Sequence, residues 1–338
     1  MANRIGICVI GSGRAGMIHA VNFSKNVPGA YLVAVVDPNE KTAQAACKQL
    51  DIDTYYTDYK TALENKDIQA VIIVTPTAFH REITVAATNA GKHVLCEKPM
   101  AMTQEECQEM IDATERNKVI LQIGFMRRFD SGFLKAKEII DAGTIGDVVM
   151  VRSNTRGPST PRPWMYNIKI SNGPLAEVNS HDIDTLRWFT ASEFKTVYAI
   201  GGNFRSPDAK AEFPDFYDNV VLSASFKNGA QGIIDGAQGV GYAYDSRAEV
   251  LGTKGSIQIG RLNNEAVVTN VAGTGTYPII DSWTNLFKDA YLAEDKAFVA
   301  AIRKEIPPLV TGYDGMMAVK VVNAGNLSII EKRIVTMD

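Results

Sequence analysis

The β-branched run Ile5–Ile10 passes without a spacer into Gly11-Ser12-Gly13-Arg14-Ala15-Gly16, and a helical pattern begins at once. No other stretch limits the fold so sharply. In G-x-G-x-x-G spacing, Gly11 permits a tight turn, Gly13 lets the backbone approach a pyrophosphate, and Gly16 lets the helix pack closely on the strand. The first N–H groups of that helix then face the anion. A second strand-like run, Tyr31–Val36, ends in Asp37, about 20 residues on, where a carboxylate accepts bonds from the ribose hydroxyls of an adenosine. The same charge repels a 2′-phosphate. Pro38, Asn39 and Glu40 follow with no arginine among them, so the expected cofactor is NAD rather than NADP. Gly11, Ser12, Gly13, Arg14, Ala15, Gly16 and Asp37 are its expected contacts.

Up to residue 124 two periodicities alternate. Short apolar runs at Ala70–Val74, His93–Leu95 and Val119–Ile123 are separated by helical spacing, as in Phe79, Ile83, Ala86, Ala87 and Ala90 between Thr77 and Gly91. Thr103 and Glu106 have the spacing of a capping box. Apolar strands alternating with amphipathic helices predict a doubly wound parallel sheet, a Rossmann-type α/β domain over residues 1–124. From residue 125 the grammar changes. After a helix predicted over Ser131–Ala142, "NVVLSASF" and "AQGIIDG" flank an Asn-Gly turn, and "AEVLG" faces "SIQIG" across another. Residues 125–338 are therefore expected to form an α+β domain with a large, mostly antiparallel open sheet. Covered by helices on one face only, such a sheet needs a partner, which predicts a homodimer or homotetramer.

A chain of 338 residues, 46% hydrophobic and 22% charged, suits two such domains and excludes general disorder. The net charge of -3 leaves no footprint for nucleic acid. No apolar run approaches the roughly 20 residues that cross a bilayer, so no membrane partner is expected. Cys8, Cys47, Cys96 and Cys107 lack any C-x-x-C spacing and read as reduced thiols of a cytoplasmic protein. No second cluster completes a metal site around Glu177, His181, Asp182 and Asp184, so no metal is expected.

Two further stretches carry a resemblance. Thr75-Pro76 with His80 follows the third long strand, and Glu97-Lys98-Pro99 follows Gly91-Lys92-His93-Val94. With the glycine loop, "GFMRRFD" and "GYAYDSRAEVLGTKGSI", the whole chain resembles the oxidoreductase family named for glucose–fructose oxidoreductase and inositol dehydrogenase. It fits the inositol dehydrogenase branch best. The resemblance implies a substrate cleft at the carboxyl edge of the nucleotide-binding sheet, with Thr75, Pro76, His80, Glu97 and Lys98 added to the NAD contacts. It also implies a catalytic set in which Lys98 matches the motif lysine and His181 the histidine of a D-x-x-x-H pair. Glu177 stands at the acidic position, a departure from the family's pattern. The implied reaction is NAD-dependent oxidation of a secondary hydroxyl on a small cyclic polyol or sugar.

The residue types suit that chemistry. If Leu175–Phe189 is one helix, Glu177, His181, Asp184 and Trp188 share a face. Histidine, with an ordinary pKa of about 6.5, can take the hydroxyl proton. Lysine at about 10.4 is a poor base unless desolvation lowers it, but its charge stabilises a developing alkoxide. Arg127, Tyr242 and Tyr244, with Asn154 and Arg156 at the end of a strand, are the expected substrate contacts. His19 and His93 are read as packing residues. Two rival readings stay open. A glycoside or sugar 3-dehydrogenase of the same family is favoured by Glu177 and by the insertion around Gly202–Asp218. A non-catalytic NAD-binding redox sensor would need neither Lys98 nor His181.

Overall fold

Strand β1 (Ile5–Ile10) is buried at every residue, the pattern of a strand covered on both faces. In the computed structural model, which describes residues 4–263 and 268–337, it lies inside a six-stranded sheet. β2 (Ala30–Val36), β3 (Tyr55–Tyr56), β4 (Ala70–Ile73), β5 (His93–Glu97) and β6 (Leu121–Gly124) complete it in the order β3-β2-β1-β4-β5-β6, all parallel. Helices α1 (Arg14–Lys25), α2 (Glu40–Leu50), α3 (Tyr59–Glu64), α4 (His80–Asn89) and α5 (Gln104–Asn117) make the crossovers. The strand order reverses between β1 and β4, a topological switch point outside which open α/β sheets bind their ligands. Side-chain chemistry sets the start of α5: Thr103 Oγ1 accepts the Glu106 N–H at 3.2 Å, and Glu106 accepts the Met102 N–H at 2.9 Å. At α4 the expectation shifts, because Thr77 opens one 3₁₀ turn, Thr77–Phe79, instead of capping the α-helix.

The second sheet follows α6 (Ser131–Asp141) and begins with β7 (Val148–Gly157). Three helices, α7 (Ile168–Ser171), α8 (Gly173–Glu177) and α9 (Ser180–Thr190), precede β8 (Phe194–Gly202), β9 (Asn219–Phe226), β10 (Gln231–Gln238), β11 (Asp245–Gly252) and β12 (Ser256–Ile259). β13 (Thr269–Val271) and β14 (Thr274–Thr276) pair separately, while β15 (Val335–Thr336) completes the order β12-β11-β7-β10-β9-β8-β15. Only β7 and β10 run parallel in that sheet; its other pairs are antiparallel, among them the two predicted hairpins β9–β10 and β11–β12. One face packs on α8 and α9. The other carries Arg152, Asn154, Arg156, Asp235, Arg247 and Glu249 with the exposed apolar Ile200 and Val221.

Between β14 and β15 lie α10 (Trp283–Leu286), α11 (Lys288–Ile302) and α12 (Gly312–Glu331). The chain divides into two units, Met1–Phe129 with Asp289–Val319, and Asp130–Lys288 with Lys320–Asp338. The expected partition into 1–124 and 125–338 would put α11 in the second domain. It belongs to the first unit instead, because Phe298 and Val299 enter the core formed by Ile5, Ile7, Val9, Phe23 and Leu95. All four cysteines are free and buried. Among the described residues no helix is long and apolar enough to cross a membrane.

Packing on the second sheet leaves no slack at Gly236, where a Cβ would stand 2.0 Å from the Asn179 side-chain oxygen. Gly236→Ala is expected to cost about 1–3 kcal/mol, as overpacking usually does, and so to lower the urea midpoint. An unchanged midpoint would show that Asn179 yields freely.

Candidate active site

Each parallel strand of the first sheet delivers its functional residues at its carboxyl end. Along that edge lie, in spatial order, Asp37 after β2, the glycine loop after β1, Thr75 and Pro76 after β4, Lys98 after β5 and the buried Arg127 after β6. Gly11 takes φ +101, a left-handed conformation that glycine enters freely. A Cβ on Gly16 would stand 1.8 Å from the Gly11 carbonyl oxygen, whereas Gly13 would meet nothing within 4 Å. The approach of helix to strand thus demands glycine at 16, and the space beside Gly13 is open. No side chain caps the first turn of α1, which begins at the exposed Arg14 and the half-buried Ala15. Asp37 Oδ2 accepts from the Ser12 N–H at 3.2 Å and hydroxyl at 2.8 Å, and Oδ1 accepts from the Asn39 N–H at 3.0 Å. An open phosphate cradle with a carboxylate fixed beside it fits a dinucleotide that has free ribose hydroxyls.

His80 and Glu97, expected as cofactor contacts, turn inward instead. His80 is buried, with Nδ1 2.8 Å from the Pro99 carbonyl oxygen and Nε2 2.8 Å from that of Thr75. Burial lowers its pKa, against the pull of those two carbonyls. The ring therefore ties the loop after β4 to the loop after β5. Glu97 is buried too: Oε2 accepts the Lys98 N–H at 3.1 Å and Oε1 lies 3.2 Å from His19 Nε2. A Cβ on Gly124 would come within 2.8 Å of the Glu97 carboxyl carbon, so glycine there makes room for it. Glu97 acts as a bracket for the Lys98 backbone, and Lys98 itself is half-buried.

Sequence reasoning missed what surrounds His19. His93 does pack structurally, accepting the Ile120 N–H at 2.9 Å, but His19 lies among acids. Its Nδ1 is 2.7 Å from Asp295 Oδ1, and Asn22 Nδ2 donates to Asp295 Oδ2 at 2.8 Å. The Tyr291 ring meets it edge-on at 5.4 Å. Ligand-type atoms of His19, Glu97 and Glu294 all lie within 4.8 Å of one another, although no metal-ligating group was expected. Burial alone would lower the His19 pKa, but Asp295 and Glu97 overcome it and hold the value well above 6.5. For Glu294, burial and then the Glu97 charge push the carboxyl well above 4.5. The one sequence signal was the adjacent pair Glu294-Asp295 inside an apolar helical stretch, which a solvated helix face would explain equally well.

In the second unit Glu177 and His181 stand on different helices. α8 ends at Glu177 and α9 begins at Ser180, so the expected single helix over Leu175–Phe189 is broken. The break follows from Asn179, whose buried side chain donates to Asp182 Oδ2 at 2.8 Å. Asp182 is itself buried and also accepts from Thr155 Oγ1 at 2.7 Å and Ser153 Oγ at 2.5 Å. That cluster pins the start of α9, and with it the buried His181, to β7. Since Ser153 and Thr155 point toward α9, strand alternation sends Asn154 and Arg156 to the opposite face. There Arg156 pairs with Asp235 and Asp245, and the Tyr242 hydroxyl donates to Asp245 Oδ2 at 3.0 Å. Asn154, Arg156 and Tyr242 are thus corrected as substrate contacts: they belong to the face opposite α8 and α9, where a concavity of about 530 Å³ lies over Asn154 and Arg156. Tyr244 is buried with its ring edge-on to Phe287 at 6.4 Å.

The model of an oxidoreductase family with an NAD-binding Rossmann fold, GFO/IDH/MocA, matches residues 5–125, and that of the GFO/IDH/MocA C-terminal domain matches 133–258. The chain belongs to the GFO/IDH/MocA oxidoreductase family. It is an NAD-dependent oxidoreductase acting on CH–OH groups. Among its relatives, myo-inositol 2-dehydrogenase of Thermotoga maritima is 35% identical over 99% of this chain and 98% of its own length. The scyllo-inositol 2-dehydrogenase (NAD(+)) of Bacillus subtilis is 35% identical, covering 95% of this chain and 93% of its own. A crystal structure of scyllo-inositol dehydrogenase from Lactobacillus casei, with bound NAD(H) and scyllo-inositol, superposes with a TM-score of 0.92 at 29% identity over 98% of this chain and 99% of that one.

Family membership makes the role of Asp37 testable. Asp37→Ser removes a charge that repels a 2′-phosphate and a partner of the ribose, so the preference for NAD over NADP should narrow. Comparing kcat/KM for the two cofactors reads this directly, and an unchanged ratio would mean that Asp37 does not face the ribose.

Proposed function

We propose that this enzyme is an inositol 2-dehydrogenase in type, oxidising a secondary hydroxyl of a cyclic polyol to a ketone. The observation that carries the reading is similarity along nearly the whole chain to inositol 2-dehydrogenases, combined with retention of Lys98 and His181. When bound, NAD supplies the hydride acceptor. The chain's own groups manage the proton. His181 takes it from the hydroxyl, Lys98 holds the developing alkoxide by charge, and Glu177 orients the substrate. Gly11, Ser12, Gly13, Arg14, Ala15, Gly16 and Asp37 are assigned to the cofactor, with Thr75 and Pro76 beside them.

A second reading, a sugar or glycoside 3-dehydrogenase, is favoured by Glu177 in place of the usual aspartate. A panel of inositols, hexoses and simple glucosides followed by NADH absorbance separates the two. Turnover of inositols above all others is expected, and turnover of glucosides alone would replace the first reading by the second. A cytoplasmic location is part of the proposal, supported by four free thiols. So is a homodimer or homotetramer formed through the face of the second sheet opposite α8 and α9, where Tyr198, Ile200, Val221 and Leu251 are exposed. Sedimentation showing only a 36.8 kDa species at micromolar concentration would defeat the oligomer.

His181→Ala is expected to lower kcat by about 10²–10⁴, the usual worth of a general base. Lys98→Met should lose about 10²-fold or more, as other oxyanion donors do. NAD affinity should stay near wild type for His181→Ala, since His181 is not among the residues assigned to the cofactor. Glu177→Asp keeps the charge but shortens its reach, and a reduced kcat is expected in single-turnover NADH formation. Normal turnover in both His181→Ala and Lys98→Met would place the chemistry elsewhere.

A further inference from the structure

The acids around His19 form a continuous chain of donors and acceptors that ends at Lys98. Asn22 donates to Asp295 Oδ2, and Asp295 Oδ1 faces His19 Nδ1 at 2.7 Å. His19 Nε2 faces Glu97 Oε1 at 3.2 Å, and Glu97 Oε2 accepts the Lys98 backbone N–H at 3.1 Å. A neutral imidazole offers one N–H and one lone pair. Here both ring nitrogens face carboxylate oxygens, and only the imidazolium donates to both. A buried carboxylate without such a partner costs several kcal/mol, and the imidazolium supplies one N–H donor to Asp295 and one to Glu97. Among the described residues neither oxygen of the fully buried Glu294 has a hydrogen-bond partner, and burial and then the Glu97 charge push its carboxyl well above 4.5. Gly124 makes room for the Glu97 carboxyl group, since a Cβ there would come within 2.8 Å of its carboxyl carbon.

We propose that the imidazolium of His19, clamped between Asp295 and Glu97, is a positioning residue that sets the backbone at Lys98 and with it the reach of the lysine. The proposal rests on the reactive role assigned to Lys98 under the proposed function. His19 touches neither the substrate nor the reacting atoms in this scheme. It works through two hydrogen bonds and one carboxylate.

The protonation of the ring is read on the intact enzyme by ¹⁵N NMR of labelled histidine at pH 8. Protons on both His19 nitrogens are expected. One bare nitrogen would overturn the proposal, as would a stoichiometric divalent metal ion in the purified protein holding Nε2. The positioning role is read by kinetics. His19→Gln and Asp295→Asn should lower kcat by about 10- to 100-fold, the scale of small misplacements at a reacting group, with NAD affinity close to wild type by titration. The decisive variant is the double one. If His19 acts through Lys98, adding His19→Gln to Lys98→Met lowers kcat no further, whereas multiplying losses would show an independent, merely structural effect and overturn the proposal. Should Lys98→Met keep normal turnover, the functional assignment of Lys98 fails while the NMR result still reports the state of His19.

Discussion

A parallel sheet covered on both faces has nowhere to put polar chemistry except the ends of its strands. The first unit follows from that constraint. β1 is buried throughout, and Gly11 and Gly16 are needed because strand and helix approach until a Cβ at Gly16 would strike the Gly11 carbonyl. Asp37, the glycine loop, Thr75, Lys98 and Arg127 come from separate stretches of sequence, yet sheet order lays them along one edge. A line of side chains able to hold a dinucleotide is thereby made from turns that individually mean little.

The Glu97-Lys98-Pro99 segment shows how neighbouring residues divide their work. Lys98 is half-buried, whereas Glu97 is turned into the core. Uncompensated ions cannot be buried without large cost, so such groups are found paired or neutralised. The core of the first unit uses both solutions, an imidazole between two carboxylates and a raised carboxyl on Glu294. One member of that polar core, Glu97, also accepts the backbone N–H of Lys98.

In the second unit a period of two decides the roles. Ser153 and Thr155 hold Asp182 and hence the start of α9, while on the other face, one residue away, Arg156 pairs with Asp235 and Asn154 donates to the Asp245 backbone carbonyl. Residues that look equally eligible at the end of one strand are separated by the thickness of a sheet. Gly236 belongs to the same arrangement, since its missing side chain is what admits Asn179 and breaks the helix before His181.

The amino-acid sequence by itself determined whatever depends on near neighbours. The strand–glycine–helix turn, the alternation of two periodicities, the Thr103 cap and both hairpins are set within a few residues and were legible there. The Lys98, Glu177 and His181 assignments came instead from motif resemblance. Tertiary structure alone decided the rest. Asp295 lies 276 residues from His19, and no local pattern marks that pair. α11 joins the first unit because its apolar face fits a core built by the chain's opening strands. The break between α8 and α9 is decided by Asn179 finding Asp182 and the space above Gly236, an energy that exists only once the sheet is in place.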